Sequence, residues 1–471
     1  MNQTRRRLPK DCEYGLPYVQ INREGRRVNL CEGPPQSGVR VFKPSPQILH
    51  SRTLRPLINF IAIKLNYILS HPKIYLGKQR EKLVKYLEFK KVIIGGGTSG
   101  LSYLDSDKET VLLSRDVIGD LQYDSSPLPL YSRDALLESL KGIAKRNSDR
   151  IMRAEYLGKF DEGLVFDSGE EILVIKAREV VFATGARYVP PLIKGGDLPG
   201  LVSKNMFLRN YASRYRDNVV FLGSSDEAIK AALNHVGKSV LIYREGTENF
   251  TKFYLEKASE VGLEIIGVRE AKLIGRNRVK GIETEEADIK AELVVYAISK
   301  QPRIEPIANF GCPYRLFEVN HTYVPIHDLN GRNGECVFVG GARGIYDPYL
   351  SIFSSKISLG IQENGIDVDR FEELLRNHNP PLHLLYTGSD TPRKSPYIFS
   401  EEGYVCECEN VSMSDVRWAL RMGYNRVEEV KRITGACTGA CQGKQCSYLL
   451  GSILRDQELI TFRSPLTPLV I

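Results

Sequence analysis

The sequence predicts an α/β chain with two dinucleotide-binding units and a small helical module near its C-terminal end. Three observations predict it. Lys91-Val-Ile-Ile94 is an apolar strand that runs directly into Gly95-Gly-Gly97-Thr98-Ser99-Gly100. Asn218-Val-Val-Phe-Leu, followed by Gly223-Ser-Ser225-Asp-Glu-Ala228, repeats that strand–loop–helix plan. Five of the nine cysteines lie between residues 406 and 446.

In the first unit the glycines have separate tasks. Gly95 makes the tight turn, Gly97 lets the backbone approach a pyrophosphate, and Gly100 packs helix on strand. The strand context is what gives the motif its weight, and it makes Gly95, Gly97, Thr98, Ser99 and Gly100 candidate phosphate contacts. The next strand, Thr110-Val-Leu-Leu-Ser114, starts ten residues after Gly100, so the helix between them is short. An acidic residue is expected at that strand's end to hold a ribose. Ser114 and Arg115 stand there instead, with Asp116 one step late. Arg115 also suits a phosphorylated nucleotide such as ATP.

Further along, Glu179-Val-Val-Phe182 leads into Ala183-Thr184-Gly185, and Glu335-Cys-Val-Phe-Val leads into Gly340-Gly341-Ala342. A helix over 350–361 is expected to aim its N-terminus at a phosphate. In the second unit Ser225 replaces the middle glycine and Ala228 the third. The serine adds a side chain where a pyrophosphate would lie, so a structural copy is preferred to an NAD site. Pro380-Pro381 and residues 388–396 read as a linker.

The C-terminal module has Cys406-Glu-Cys408, then thirty-two residues, then Cys441-Gln-Gly-Lys-Gln-Cys446. Ser412-Met-Ser-Asp415 reads as a capping box for a helix that ends at Gly423. Val427, Val430 and Ile433 mark a second helix, stopped by Gly435. Together they fold one cysteine pair back onto the other. Gly435, Gly439 and Gly443 leave N–H groups for sulfur, and Lys431, Arg432 and Lys444 could offset an anionic centre. A disulfide between cysteines two residues apart is strained. Structural zinc favours Cys-x2-Cys spacings, so a 2Fe-2S centre is preferred to zinc.

This module resembles the bacterioferritin-associated ferredoxin type of domain. It is most similar to the version fused to the α subunits of heteromeric sarcosine oxidases, hydrogen cyanide synthases, opine oxidases and archaeal L-proline dehydrogenases. The motif order from residue 91 to residue 471 is similar as well. The resemblance implies a two-dinucleotide-binding, Rossmann-like flavoprotein fold with a small helical 2Fe-2S module.

Its domains would be an FAD or adenine-nucleotide domain (86–215 and 301–390), an inserted NAD-type domain (216–300), the 2Fe-2S domain (397–457) and a docking tail (458–471). Residues 1–85 would be a reduced ferredoxin-like remnant plus helices. The resemblance implies Cys406, Cys408, Cys441 and Cys446 as ligands, with Cys437 an extra thiol where relatives have glycine. It implies FAD, or ATP in its place, held by the first glycine loop, Ser114, Arg115, Ala183, Thr184, Gly185, Gly340, Gly341 and Ala342. Ala342 stands where relatives have an aspartate on the ribityl chain. A β subunit would oxidise a secondary amine or amino acid on its own flavin. A further flavin could sit at the subunit interface, and this chain would carry electrons to an acceptor. The alternatives are a stand-alone NAD(P)H-dependent flavin reductase and a non-catalytic ATP-binding structural subunit.

The totals are consistent with this. The 471 residues suffice for about three domains. The net charge of +8 is dispersed apart from Arg5-Arg-Arg7, so nucleic acid is not an expected partner. The basic N-terminus lacks the apolar run and cleavage site of a signal peptide. Residues 54–69 are apolar but interrupted by Arg55, Asn59, Lys64 and Asn66, which predicts a packed helix and no membrane span. Cysteines clustered as ligands predict a reducing cytoplasm. His235, His321, His327, His378 and His383 are scattered, and no catalytic residue is assigned. Residues 1–45 contain strand-like pieces at 18–22, 27–30 and 38–42, and residues 46–90 are expected to be mainly helical.

Overall fold

Residues 83–97 set the architecture. Leu87 and Phe89 alternate with the exposed Glu88 and Lys90, and Val92, Ile93 and Ile94 are then buried in succession. Alternation followed by a continuous apolar run is the pattern of a strand that enters a sheet covered on both faces. In the computed structural model Leu83–Gly97 is one strand (β1). This corrects the helical expectation for residues 83–90. The structure describes residues 82–467 apart from 213, 214, 216, 363–366, 388–392 and 440, together with the antiparallel hairpin Tyr18–Ile21 and Arg26–Asn29. The expectations for residues 38–42 and 54–69 lie outside the described residues.

After β1 come Thr98–Ser106 (α1), Thr110–Ile118 (β2) and Glu171–Phe182 (β3). Both strands pair parallel with β1, one on each side. The chain therefore reverses its winding at β1, and a crevice opens beyond the strand's carboxyl end. β2 runs four residues past the expected Ser114, because Val117 and Ile118 pair with Gly96 and Gly97 across a bulge.

The second unit is a parallel five-stranded sheet. It contains Val219–Leu222 (β4), the helix Asp226–Leu233 (α2) and Ser239–Arg244 (β5). The chain then returns to the first sheet through Cys336–Phe338 (β6), parallel to β3, and continues into Pro348–Ser358 (α3). Cys312 and Cys336 are joined in a disulfide with Cα atoms 6.5 Å apart.

The C-terminal module consists of Met413–Arg421 (α4), Val427–Thr434 (α5) and Cys446–Leu454 (α6). Both halves of the Ser412–Asp415 capping box are present. Leu449 and Leu450 of α6 share one buried core with Phe182 and Tyr188, so the module is built onto the body. Full burial of such a leucine stabilises by about 1.5–3 kcal/mol.

The tail departs from expectation. Leu459, Ile460, Phe462 and Leu466 are buried against this chain. Leu466 N donates to Leu157 O at 2.6 Å and Asn309 Nδ2 to Phe462 O at 3.2 Å. Residues 458–467 are therefore not a free docking tail. Their apolar side chains are covered by the chain's own body. Among the described residues no helix is long and apolar enough to cross a membrane.

Candidate nucleotide cleft and iron–sulfur site

The three glycines of the first loop meet different surroundings. Gly95 has φ +115°, and a Cβ there would lie 2.3 Å from Ala183 O. A Cβ at Gly100 would lie 2.0 Å from Gly95 O. Both positions are closed to any side chain. Gly97 has φ −73°, which any residue can adopt, and no protein atom lies within 4 Å of its Cβ position. The space it faces is a cleft of about 380 Å³.

Gly95, Gly97, Thr98 and Ser99 line this cleft, and so do Ser114, Arg115, Ala183, Thr184, Gly185 and Gly341. Thr184 Oγ1 is buried there without a hydrogen-bond partner. A backbone cradle that a Cβ would fill, beside an unsatisfied hydroxyl, fits a nucleotide phosphate.

Three of the expected residues do not face the cleft. Gly100 is packed on Gly95, a Cβ at Gly340 would lie 2.5 Å from Ser99 Oγ, and Ala342 is fully buried in the core. The α3 N-terminus is already occupied, because Asp347 Oδ1 accepts from Tyr349 N (2.8 Å) and Leu350 N (3.0 Å). That corrects its expected role as a phosphate site. At the ribose end Ser114 Oγ is also committed, donating to Asp116 O at 2.6 Å.

Sequence reading missed the buried charges at the far end of the cleft. Glu227 lies 3.0 Å from Lys204, 2.9 Å from Lys230 and 3.3 Å from Lys300, and it accepts from Tyr188 at 2.5 Å. Burial pushes its carboxyl up, but the lysines outweigh burial and hold it well below the usual carboxylate range. Lys230 follows it by one helical turn on α2, but Tyr188, Lys204 and Lys300 come from separate segments of chain, and no local pattern marks those.

The second unit is closed at the equivalent place. Ser225 Oγ donates to Ile298 O at 3.1 Å, and the two spaces it lines are small, about 20 and 70 Å³. The end of the linker lies over it. Arg244 Nη1 donates to Ser395 O and His321 Nε2 contacts Arg393 O, each at 2.7 Å. The expected outcome is no saturable binding of NADH or NADPH below about 1 mM, a Kd worth only about 4 kcal/mol. Titration calorimetry checks it, and micromolar binding would show that the linker gives way.

In the module the thiols converge. Cys406 and Cys408 Sγ are 3.6 Å apart, and Cys408 and Cys441 Sγ 3.9 Å. Cys446 Sγ donates to Cys437 Sγ at 3.4 Å. The Cys408 thiol first, then Cys446 and the N–H groups of Cys437 and Glu409, pull Cys406 down to about 4. Hydrogen bonds from Cys408 and Cys446, then the Gly443 N–H, lower Cys441 as well, against burial. The same contacts push Cys408 and Cys446 up, so Cys406 and Cys441 ionise first. Four converging, largely buried sulfurs are the donor chemistry of an iron–sulfur centre.

Of the expected N–H donors Gly443 reaches sulfur, and a Cβ at Gly439 would strike Cys408 Sγ at 2.4 Å. Lys431 and Arg432 are paired with Glu428 instead. Lys444 is buried, and burial draws it down to about 8, opposed by Glu305. Its Nζ donates to Leu466 O, and its backbone oxygen accepts from Arg187 Nη1 at 3.2 Å. Arg187 is also paired with Glu305 at 2.5 Å. Lys444, Leu466 and Thr467 line the same cleft as Gly97. The cysteine loop and the glycine loop thus share one cavity.

Known proteins carry parts of this arrangement. The family description BFD-like [2Fe-2S] binding domain matches residues 404–456. An opine oxidase subunit of Rhizobium meliloti is 22% identical over 228 residues, 43% of this chain and 43% of that protein. The NAD(P)H coenzyme A polysulfide/persulfide reductase of Pyrococcus horikoshii is 29% identical over 190 residues, 36% of this chain and 42% of that protein. The chain thus spans less than half the length of these curated relatives. The solved L-proline dehydrogenase of P. horikoshii superposes with a TM-score of 0.62 at 19% identity, over 83% of this chain and 80% of that one, which shows a shared fold. Opine oxidase and L-proline dehydrogenase are among the proteins whose resemblance the motifs carried. Residues 404–456 belong to the BFD-like 2Fe-2S binding family, on a two-dinucleotide-binding α/β body similar to those of the opine oxidase subunit of R. meliloti and L-proline dehydrogenase.

Proposed function

We propose that this chain is the α subunit of a heteromeric, flavin-dependent dehydrogenase or oxidase of a secondary amine or amino acid. It receives electrons from a partner β subunit, then passes them through a 2Fe-2S centre to an acceptor. One observation carries the reading: the cysteine loop and the first glycine loop open on a common cleft, joined by Arg187, Glu305 and Lys444. FAD at the glycine loop would supply the step from electron pairs to single electrons, and the 2Fe-2S centre would carry them singly.

The chain's own residues hold and shield. The backbone at Gly97 and the Thr184 hydroxyl hold the phosphates. Arg187 and Glu305 fix the cysteine loop against the cleft. The buried Leu466 closes the cleft on the tail side and excludes water. The reading places the protein in the cytoplasm, where the five free thiols of the module stay reduced; the buried Cys312–Cys336 disulfide, a bond rare in that compartment, counts against that placement.

Similarity to the NAD(P)H-dependent polysulfide reductase favours a reductase as second reading. The closed second unit counts against it, since a nicotinamide nucleotide would have no place to enter. Produced without a partner, the chain is expected to show no turnover of proline, sarcosine or opines with an artificial dye acceptor. Turnover by the isolated monomer at the rate of an assembled complex would overturn the proposal and return the substrate site to these residues.

A further inference from the structure

We propose that Cys437 is a second ligand for the metal position served by Cys446, so that five thiols share four places. The proposal rests on the 2Fe-2S reading of the module and goes beyond the four-cysteine pattern.

Cys437 Sγ lies 3.4 Å from Cys446 Sγ. The Cys406–Cys408 and Cys408–Cys441 separations are 3.6 and 3.9 Å. Cys437 is therefore in the same contact set as the four expected ligands, near enough to Cys446 for either sulfur to take the same place on a metal. Its side chain is 3% exposed. Residue 437 is thus part of the shell around the sulfurs by its side chain.

Two further features favour use of the thiol over its tolerance. Cys437 has φ +64°, a left-handed conformation that glycine adopts freely and a side chain does not. Gly443 leaves space on that side, where a Cβ would meet Ile460 Cδ1 at 2.5 Å and Cys437 Cβ at 3.1 Å. The two cysteines also differ in freedom. Cys446 is the first residue of α6, whereas Cys437 lies on the loop between α5 and Cys441. In the exchange Cys437 Sγ–H gives up its proton and forms a bond to iron. The Cys446 Sγ–iron bond breaks, and that sulfur takes up a proton. No electron is gained or lost.

The test begins with iron and acid-labile sulfide in the unaltered chain; stoichiometric zinc without iron would remove the 2Fe-2S reading itself. Given a 2Fe-2S centre, Cys446→Ala is expected to keep most of its iron and sulfide. Its reduced-state paramagnetic signal and visible circular dichroism should be shifted. The double variant Cys446→Ala/Cys437→Ala should hold no centre. Alanine is chosen because a serine oxygen could itself bind iron. Cys437→Ala alone should keep the centre but lose it to a chelator several-fold faster, since no spare thiol recaptures the iron. Complete loss in a folded Cys446→Ala protein, complete loss in Cys437→Ala, or an unchanged chelation rate in Cys437→Ala would each overturn the proposal.

Discussion

Gly97→Val is expected to empty the nucleotide cleft while the chain stays folded. At Gly97 φ is −73° and an added Cβ meets no protein atom, so the folded state accepts a side chain with little strain. The volume it would fill belongs to the cleft, where the backbone of the loop approaches a phosphate. Overpacking a tight contact costs about 1–3 kcal/mol, which is about ten- to a hundredfold in affinity. The checks are the amount of nucleotide released on denaturing the purified variant and its melting temperature. Loss of nucleotide with a melting temperature near that of the unaltered chain is the expected pair. Gly100→Val is the contrast, because its Cβ would lie 2.0 Å from Gly95 O, and it should lower stability itself. Full nucleotide occupancy in Gly97→Val would place the ligand elsewhere and leave the three glycines a purely structural part.

Cys408→Ala and Cys441→Ala should each abolish the iron–sulfur centre. These sulfurs stand 3.9 Å apart in the middle of the thiol set, and unlike Cys446 neither has a spare thiol beside it in the proposed exchange. A cluster short of a ligand is exposed to solvent and hydrolysis, so the loss should be close to complete. Iron and sulfide assays with visible spectroscopy report it. Because α6 packs its leucines into the body core, secondary structure should survive the loss. Retention of a native spectrum in either variant would remove that cysteine from the ligand set.

The parts legible in the sequence were those governed by near neighbours. The strand-to-glycine turn at Gly95–Gly100, the Ser412 capping box and the return of the cysteine pairs all follow from residues a few positions apart. Misreadings arose where distant chain decided the outcome. Residues 83–90 form a strand because β3 lies ready to pair with them. The tail read as a docking segment because the antiparallel pair Glu155–Phe160 and Gly163–Asp167 that covers it lies some three hundred residues earlier, as in the Ser464 Oγ bond to Lys159 O. Glu227 and Lys230 are one helical turn apart, but Lys204 and Lys300 join them only once several segments are assembled, so no spacing rule could find the whole cluster. The Asp347 cap was visible as a residue type, yet its effect on the expected phosphate site depends on its side-chain rotamer.

Two units joined by two short strands have a natural axis of rotation through those strands. Here the crossings are Ala186–Tyr188 and Lys300–Pro302, paired antiparallel. Arg187 on the first is locked to Glu305 just beyond the second and to the backbone of Lys444. Gln301 on the second donates to Tyr323 O at 2.8 Å. The linker fastens the outer side, through Arg244 and Ser395. The axis is therefore pinned at both ends, and the second unit acts as a strut. The separation between the nucleotide cleft and the thiols is set by close packing, so in the proposed function domain rotation would not gate the passage of electrons between them.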